Sequence, residues 1–258
     1  MNDYEFKVFS QSGEDGIIQH LIKSIDIKNE TFIEFGIENY MESNTRFLMM
    51  NNEWRGFVID GSSKNIEFLK KQNWFWMYDL QAKDAFIDRD NVNELLKESD
   101  FSNIGLLSID IDGNDYWIFE ALDLSLLNPA IIIVEYNALF GIDRAISIPY
   151  NKKFNRTKVH YSNLFWGASL SALNYIAQRK GYELVGCCKA GTNAFFVRKD
   201  LLNEKVQKVS VEKAFRESFC RQSRDKNYKL SFLRDIERYK AIKGLHVMNI
   251  VTNEIETF

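Results

Sequence analysis

The sequence has little proline, cysteine or histidine, and it lacks any long apolar run. Its two prolines, Pro129 and Pro149, and the absence of polar low-complexity tracts exclude long disordered segments. Its three cysteines, Cys187, Cys188 and Cys220, are odd in number and two are adjacent. This spacing suits neither a disulfide framework nor a zinc site, and it fits a reducing compartment. No stretch approaches the ~20 apolar residues of a membrane span, and the opening MNDYEFKVFSQSGED lacks the apolar segment of a secretory signal. The expected location is cytoplasmic. A net charge of −3 argues against a nucleic-acid partner. The G-x-G-x-x-G fingerprint is also missing, which counts against a nucleotide-dependent dehydrogenase.

What remains is a 258-residue chain, 45% hydrophobic and 14% aromatic, enough for one large α/β core. Charge is uneven. From Lys199 to Lys243 there are 13 Lys/Arg against 7 Asp/Glu, a net of +6, which leaves −9 for the remainder. This tail reads as solvated helix faces, or as a surface for a phosphate-bearing substrate or an acidic partner.

Apolar residues at 17, 18, 21, 22 and 25 have helical spacing, predicting a helix over 14–25. Strands are predicted at 31–36, 56–60, 74–79, 104–110 and 130–137. Helices are predicted at 43–53 (capped by Ser43 or Asn44), 63–72, 91–98 and 114–122. This alternation implies βαβ units and a doubly wound, mostly parallel sheet. Residues 138–163 read as a long loop. A helix follows at 167–181, ending at Gly181, and then two strands within 182–198 around Ala-Gly-Thr-Asn. The expected fold is a Rossmann-like α/β sheet closed by an antiparallel hairpin, with a domain over 1–199. A charged helical extension packs on it over 200–258, with a late edge strand at 246–251 and a possible homodimer contact.

Ligands of such sheets bind beyond the carboxyl ends of the strands. There the sequence places Glu34 with Gly36, Asp60 with Gly61, Asp79, Asp110 with Asp112, and Glu135 with Asn137. Clustered carboxylates repel one another, so such a set suits a cationic, hydroxyl-bearing ligand. S-adenosylmethionine fits, with its sulfonium, its amine and its ribose diol. Gly36 permits close approach, Asp60 suits the ribose hydroxyls, Asp79 the adenine amine, and Glu34 or Asp110 the methionine amine. Each carboxylate alone could equally be a helix cap or a surface ion pair.

SQSGEDGII (10–18), FIEFG (32–36), ESNT (42–45), GFVIDG (56–61), LLSIDIDGNDYW (106–117), IIVEYN (132–137), GASLSAL (167–173) and NAFFVR (193–198) together resemble the signatures of FkbM-type and related class I methyltransferases of bacterial glycan gene clusters. The resemblance spans roughly residues 8–200. It implies S-adenosylmethionine as donor and O-methylation of a capsule or other glycan precursor, at a sugar hydroxyl or a phosphoramidate-type decoration. The chain departs from the class I pattern in having no second glycine after Gly36, so Glu38 or Asn39 must take the tight turn. Gln11 and Ser12 could fold over the cofactor, or simply belong to a helix cap, and Asn44 joins the expected cofactor contacts.

A sugar hydroxyl needs a general base, for which Asp112, His160 and Glu135 are the candidates. An acidic acceptor would need cations instead, and Lys152, Lys153, Arg156 and Lys158 lie close together. Asp112, Glu135 and Asn137 are hard oxygen donors that could hold Mg²⁺. Phe165 and Trp166 could line an acceptor site or pack in the core. The expected partner is a small glycan or nucleotide-activated substrate. The competing readings are a dehydrogenase and a degenerate methyltransferase fold that only binds.

Overall fold

In the computed structural model, residues 1–220 and 222–258 are described; Arg221, one of the tail cations counted above, lies outside them. The apolar runs become strands buried on both faces: β1 (Asn29–Phe35), β2 (Arg55–Asp60), β4 (Ile104–Ile109) and β5 (Ile131–Glu135). All six residues of β4 and all five of β5 are buried, as a central parallel sheet requires. With β3 (Leu80–Asp84), β7 (Tyr182–Cys187) and β8 (Asn193–Arg198) they form a seven-stranded sheet in the order β3-β2-β1-β4-β5-β8-β7. The first five strands are parallel, and β8 pairs antiparallel with both β5 and β7. The result is a Rossmann-like sheet, parallel except for the one reversed strand inserted beside β5.

The pleat sends alternate residues to opposite faces. Phe32, Val58, Leu106 and Ile131 pack under α1 (Glu14–Ser24), α2 (Arg46–Asn52) and α3 (Ser63–Lys70). Ile33, Phe57, Leu107 and Ile132 pack under α4 (Val92–Lys97), α5 (Asp115–Ala121) and α7 (Leu170–Arg179). The order of strands reverses between β1 and β4, so the crevice opens there, beyond their carboxyl ends.

Three expectations fail. The run 74–79 is not a strand: Phe75–Met77 is a single 3-10 turn, and Trp76 is 81% exposed. Its aromatic composition imitates a buried strand. The real β3 is LQAKD, an edge strand with one neighbour and mixed exposure, so it needs no apolar run. Second, 138–163 is not only loop. It contains β6 (Ile146–Ser147) and α6 (Arg156–Val159). Third, 246–251 is not an edge strand of the main sheet. There β9 (His246–Asn249) is the middle strand of a second antiparallel sheet, β10-β9-β6, with β10 at Glu254–Thr257. Phe140, Ile146, Ile242, Val247 and Phe258 form a small core there.

The 200–243 tail is also less helical than expected, with only α8 (Val211–Ala214), α9 (Asp235–Ile242) and a 3-10 turn at Lys199–Leu201. It has no continuous apolar stripe to hold a long helix; α9 buries only Ile242. The tail nevertheless binds the sheet. The Val209 N–H donates to the Leu184 carbonyl at 2.8 Å, the Tyr136 hydroxyl donates to the Arg216 carbonyl at 2.7 Å, and Ala214 joins the main core. No described helix is long and apolar enough to cross a membrane.

Candidate active site

Two adjoining cavities open beyond the carboxyl ends of β1, β2, β4 and β5. One, of about 170 Å³, is walled by Ile59, Phe86, Ile87 and Phe154 and contains Asp60 and Gly61. The other, of about 220 Å³, is polar and contains Gln11, Glu34, Asn44, Glu135, Arg156 and Asn193. Gly36, Glu38, Asp110 and Asp112 line both.

Gly36 sits where β1 ends, with φ +72°, and a Cβ there would fall on the carbonyl oxygen of Asp110. Glycine is therefore required both by conformation and by the close approach of β1 to β4. The missing second glycine is replaced as expected at Glu38, which takes φ +46°, and also at Tyr40, with φ +61°. Asp60 stabilises this turn: its Oδ2 accepts from the Glu38 N–H at 2.8 Å, and its Oδ1 accepts from the Ser62 N–H at 2.8 Å and Asn65 Nδ2 at 3.1 Å. The carboxylate is thus fixed at the mouth of the apolar-walled cavity.

Glu34 is a strut. Its carboxyl accepts from Ser43 Oγ and Thr45 Oγ1, both at 2.5 Å, and from the N–H groups of Asn44 at 3.0 Å and Thr45 at 3.2 Å. Burial raises its pKa, partly offset by these bonds. The same bonds delay the start of α2: residues 43–45, expected within the helix, form the loop that clasps Glu34. Asn44 reaches Ser108 through Nδ2 at 3.1 Å.

SQSGED is a cap that also reaches the cavity. Asp15 Oδ2 accepts from the N–H groups of Val8, Phe9 and Ser10, at 2.7, 2.8 and 2.9 Å, and Ser10 Oγ accepts from the Asp15 N–H. Ser12 is held through its N–H by Glu14, while Gln11 lines the polar cavity.

Asp110, Asp112 and Glu135 bring one carboxyl oxygen each within 4.8 Å of one another. Burial raises the pKa of Asp110, and the charges of Asp112 and Asp115 raise it further. Glu135 is raised by burial and then by Asp110, against the opposing pull of Arg156. Glu38 shifts the same way, from burial and then from Asp112 and Asp60. At an effective dielectric near 20, two like charges this close repel by roughly 3 kcal/mol, so a cation beside Asp110 and Glu135 would relieve the strain that raises them. Arg156 is the one cation lining either cavity among the described residues. It is fixed by Asp112 at 2.9 Å, by the Asn163 carbonyl at 3.1 Å and by the Trp166 ring at 4.2 Å.

Three buried polar atoms around the polar cavity have no partner: Glu135 Oε2, Arg156 Nη2 and Asn193 Oδ1. Buried polar groups are almost always satisfied, so these three mark a place for a polar ligand.

Two expected site residues are not brought together with the rest. Asp79 lies before β3 rather than after it, exposed and paired with Arg55 at 2.5 Å. The acid at the carboxyl end of β3 is Asp84, which lines neither cavity. His160 sits just beyond α6 with Nδ1 on Ser162 Oγ at 2.7 Å, outside both cavities. Lys152 is spent on Asp88 and Asp90, and neither Lys153 nor Lys158 lines either cavity. Asn137 lines neither cavity: it donates to the Leu164 and Trp166 carbonyls and accepts from the Leu139 N–H.

Other residues escaped sequence reading. Asn193 enters because β8 runs opposite to its neighbours and begins, rather than ends, at the crevice. Phe86 and Ile87 follow the misplaced β3. Asp115 accepts from the N–H groups of Ile111 and Gly113, both at 2.9 Å, and so shapes the loop carrying Asp112 at φ +59°. Burial pushes its carboxyl up to about 6. DGND carries the residue types of a turn, but nothing in it shows that Asp115 bonds back to residues 111 and 113.

No protein-family model and no curated protein sequence matches the chain. Among solved structures it is similar to the N-terminal domain of EvdMO1 with SAH bound, at 8% identity over 73% of this chain and 80% of that one, TM-score 0.45. It is also similar to M. capricolum TrmK in complex with S-adenosyl-homocysteine, at 14% identity over 82% and 79%, TM-score 0.45. A SAM dependent methyltransferase from Aquifex aeolicus shows 10% identity over 72% and 91%, TM-score 0.41. The fold assignment stands on the strand order and the reversed β8.

Proposed function

We propose that this chain is an S-adenosylmethionine-dependent O-methyltransferase acting on a hydroxyl of a small glycan precursor whose reacting end is uncharged. The observation that carries this reading is the pairing of an apolar-walled cavity holding Asp60 with a polar cavity crowded by carboxyls. Adenosine suits the first: aromatic and aliphatic walls for the base, a fixed carboxylate for the ribose diol. The sulfonium and amine of the donor suit the second, where positive charge relieves the repulsion among Asp110, Asp112 and Glu135.

The acceptor follows from the same electrostatics. Among the described residues, six carboxyl residues line the polar cavity against Arg156: Glu34, which is engaged by residues 43–45, and Glu38, Glu42, Asp110, Asp112 and Glu135. An anionic acceptor such as a phosphoramidate is repelled there, whereas a neutral polyol can give hydrogen bonds to Asn193 and Glu135 and accept one from Arg156. In the reaction the acceptor oxygen attacks the methyl carbon in line, the carbon–sulfur bond breaks, and the sulfur leaves as a neutral thioether. The hydroxyl proton passes to the carboxylate set at 110, 112 and 135. Donor binding also prepares this set, because the sulfonium favours its ionised forms.

Isothermal titration of the full chain with S-adenosylmethionine tests the reading. Saturable binding is expected, with Asp60→Ala weakening it about 10- to 100-fold through loss of hydrogen bonds to a charged group. Absence of binding to the folded wild-type chain overturns it. A rise in melting temperature with NAD instead would favour a dehydrogenase.

A further inference from the structure

We propose that Asp110, Asp112, Glu135 and Asn193 form a binding site for one divalent, oxygen-preferring cation of the Mg²⁺ or Mn²⁺ type. The role of that ion toward an acceptor hydroxyl rests on the function proposed above; its binding does not. Among the described residues, the three carboxyls are the one grouping able to offer three or more metal-binding side-chain atoms within 4.8 Å.

An acidic cluster alone means little, because such groups are common without an ion. The independent observation is Asn193. It is 4% exposed, it lines the same cavity, and its Oδ1 has no hydrogen-bond partner. Its orientation is fixed by chemistry: the amide nitrogen donates to Glu14 Oε1 at 3.1 Å, so the oxygen is the atom left free. In the sheet Asn193 pairs directly with Glu135, and directly paired residues point to the same face. Glu135, 8% exposed, likewise has an unpartnered Oε2. Two buried, unsatisfied oxygens thus stand side by side, next to Asp110 and Asp112.

The donor set selects the ion class. Three carboxylates and an amide oxygen, without histidine or thiolate, favour a hard cation over zinc or iron. Oxygens held at about 2.1 Å from one octahedral ion lie about 3 Å apart when adjacent and about 4 Å when opposite. A separation within 4.8 Å closes to these values by side-chain rotation. Charge agrees: among the described residues, three ionised carboxylates against the Arg156 guanidinium leave two negative charges, which a divalent ion neutralises. Arg156 contacts Asp112 through Oδ1, leaving Oδ2 for the ion. The site differs from the Asp112–Glu135–Asn137 set expected from sequence, because Asn137 is engaged with Leu139, Leu164 and Trp166 and lines neither cavity. A bound ion would polarise an acceptor hydroxyl and lower its pKa.

The test is Mn²⁺ binding to the full chain, read by electron paramagnetic resonance of the free ion, with MgCl₂ as competitor. One Mn²⁺ per chain, displaced by Mg²⁺, is expected. Glu135→Gln should weaken it at least 10-fold and Asn193→Ala about 3- to 10-fold, while Asp79→Asn, at a remote surface pair, should leave it unchanged. Circular dichroism checks that each variant is folded; the wild-type titration stands without them. No stoichiometric Mn²⁺ on the folded wild-type chain overturns the proposal, as does a folded Glu135→Gln that binds like wild type. Separate titration with S-adenosylmethionine distinguishes the two ideas. Donor binding without an Mn²⁺ site rejects the ion and keeps the proposed function; an Mn²⁺ site without donor binding supports the ion and rejects the function.

Discussion

Replacing Glu34 by alanine is expected to destabilise the fold by about 2–4 kcal/mol, although the residue stands at the head of the motif that suggested cofactor binding. Its carboxyl takes four hydrogen bonds from residues 43–45, all buried. Alanine would orphan the Asn44 N–H and the Ser43 hydroxyl proton, each worth about 1–3 kcal/mol when left unsatisfied, while the Thr45 N–H keeps Ser43 Oγ at 3.2 Å. The Thr45 hydroxyl keeps Tyr40 Oη, 2.9 Å away, so its loss is smaller. Relief from the desolvation that raises the Glu34 pKa offsets part of the total. Glu34→Gln should cost less, about 1–2 kcal/mol. Its amide oxygen can keep the three bonds now made to Oε2, but its NH₂ then faces the Asn44 N–H. Urea unfolding followed by circular dichroism measures both, and for a chain this long the alanine variant should melt roughly 5–15 °C lower. If alanine lies within about 1 kcal/mol of wild type, the strut argument fails. If S-adenosylmethionine affinity falls more than stability does, Glu34 grips the ligand instead.

Gly36→Ala should be destabilised by at least about 1–2 kcal/mol from its positive φ alone, with more from the contact on Asp110, and should lose donor affinity; a variant with wild-type unfolding and binding would contradict the geometry. For Asp115, burial raises the native pKa from 3.8 to about 6. Between those values the native chain holds a proton that the unfolded chain has released, so stability falls as pH rises through this window, by roughly 3 kcal/mol at most. The stability of wild type relative to Asp115→Asn should therefore decline from pH 4 to pH 7 in urea unfolding; a pH-independent difference would refute it. Ending the chain at Lys199 removes Val206, Ala214 and Phe215 from the cores together with β9 and β10; the shortened protein is expected to be insoluble or unfolded, and a soluble, cooperatively folding one would show that the tail is dispensable.

Much of the fold was legible in particular residues. The β-branched runs of β1, β2, β4 and β5 are buried on both faces and therefore carry their own signal. Gly181, at φ +86°, ends α7 as its position suggested. The signal weakened where neighbours share the burial. The edge strand β3 looks polar, and the exposed Phe75–Met77 turn looks like a strand. The tail takes its few helical turns from contact with the sheet rather than from any periodicity. Among site residues, Gly36, Asp60, Asp110 and Glu135 could be found because a parallel strand delivers its last residue to the crevice. Asn193 could not, since nothing local tells a strand's direction.

The sequence by itself determined the alternation of strands and helices, the glycine at the end of β1 and most of the acids beside the crevice, because these depend on local burial and backbone sterics. Tertiary structure alone decided what each acid does. Glu34 is consumed in bracing a loop, Asp60 is fixed at the mouth of one cavity, and Asp79 is stranded at the far end of its strand. Asp110 and Glu135 are pressed together until they need a proton or a cation. A carboxyl's role depends on its hydrogen-bond partners and on the charges within a few ångströms, and those partners come from strands and loops far apart in the chain.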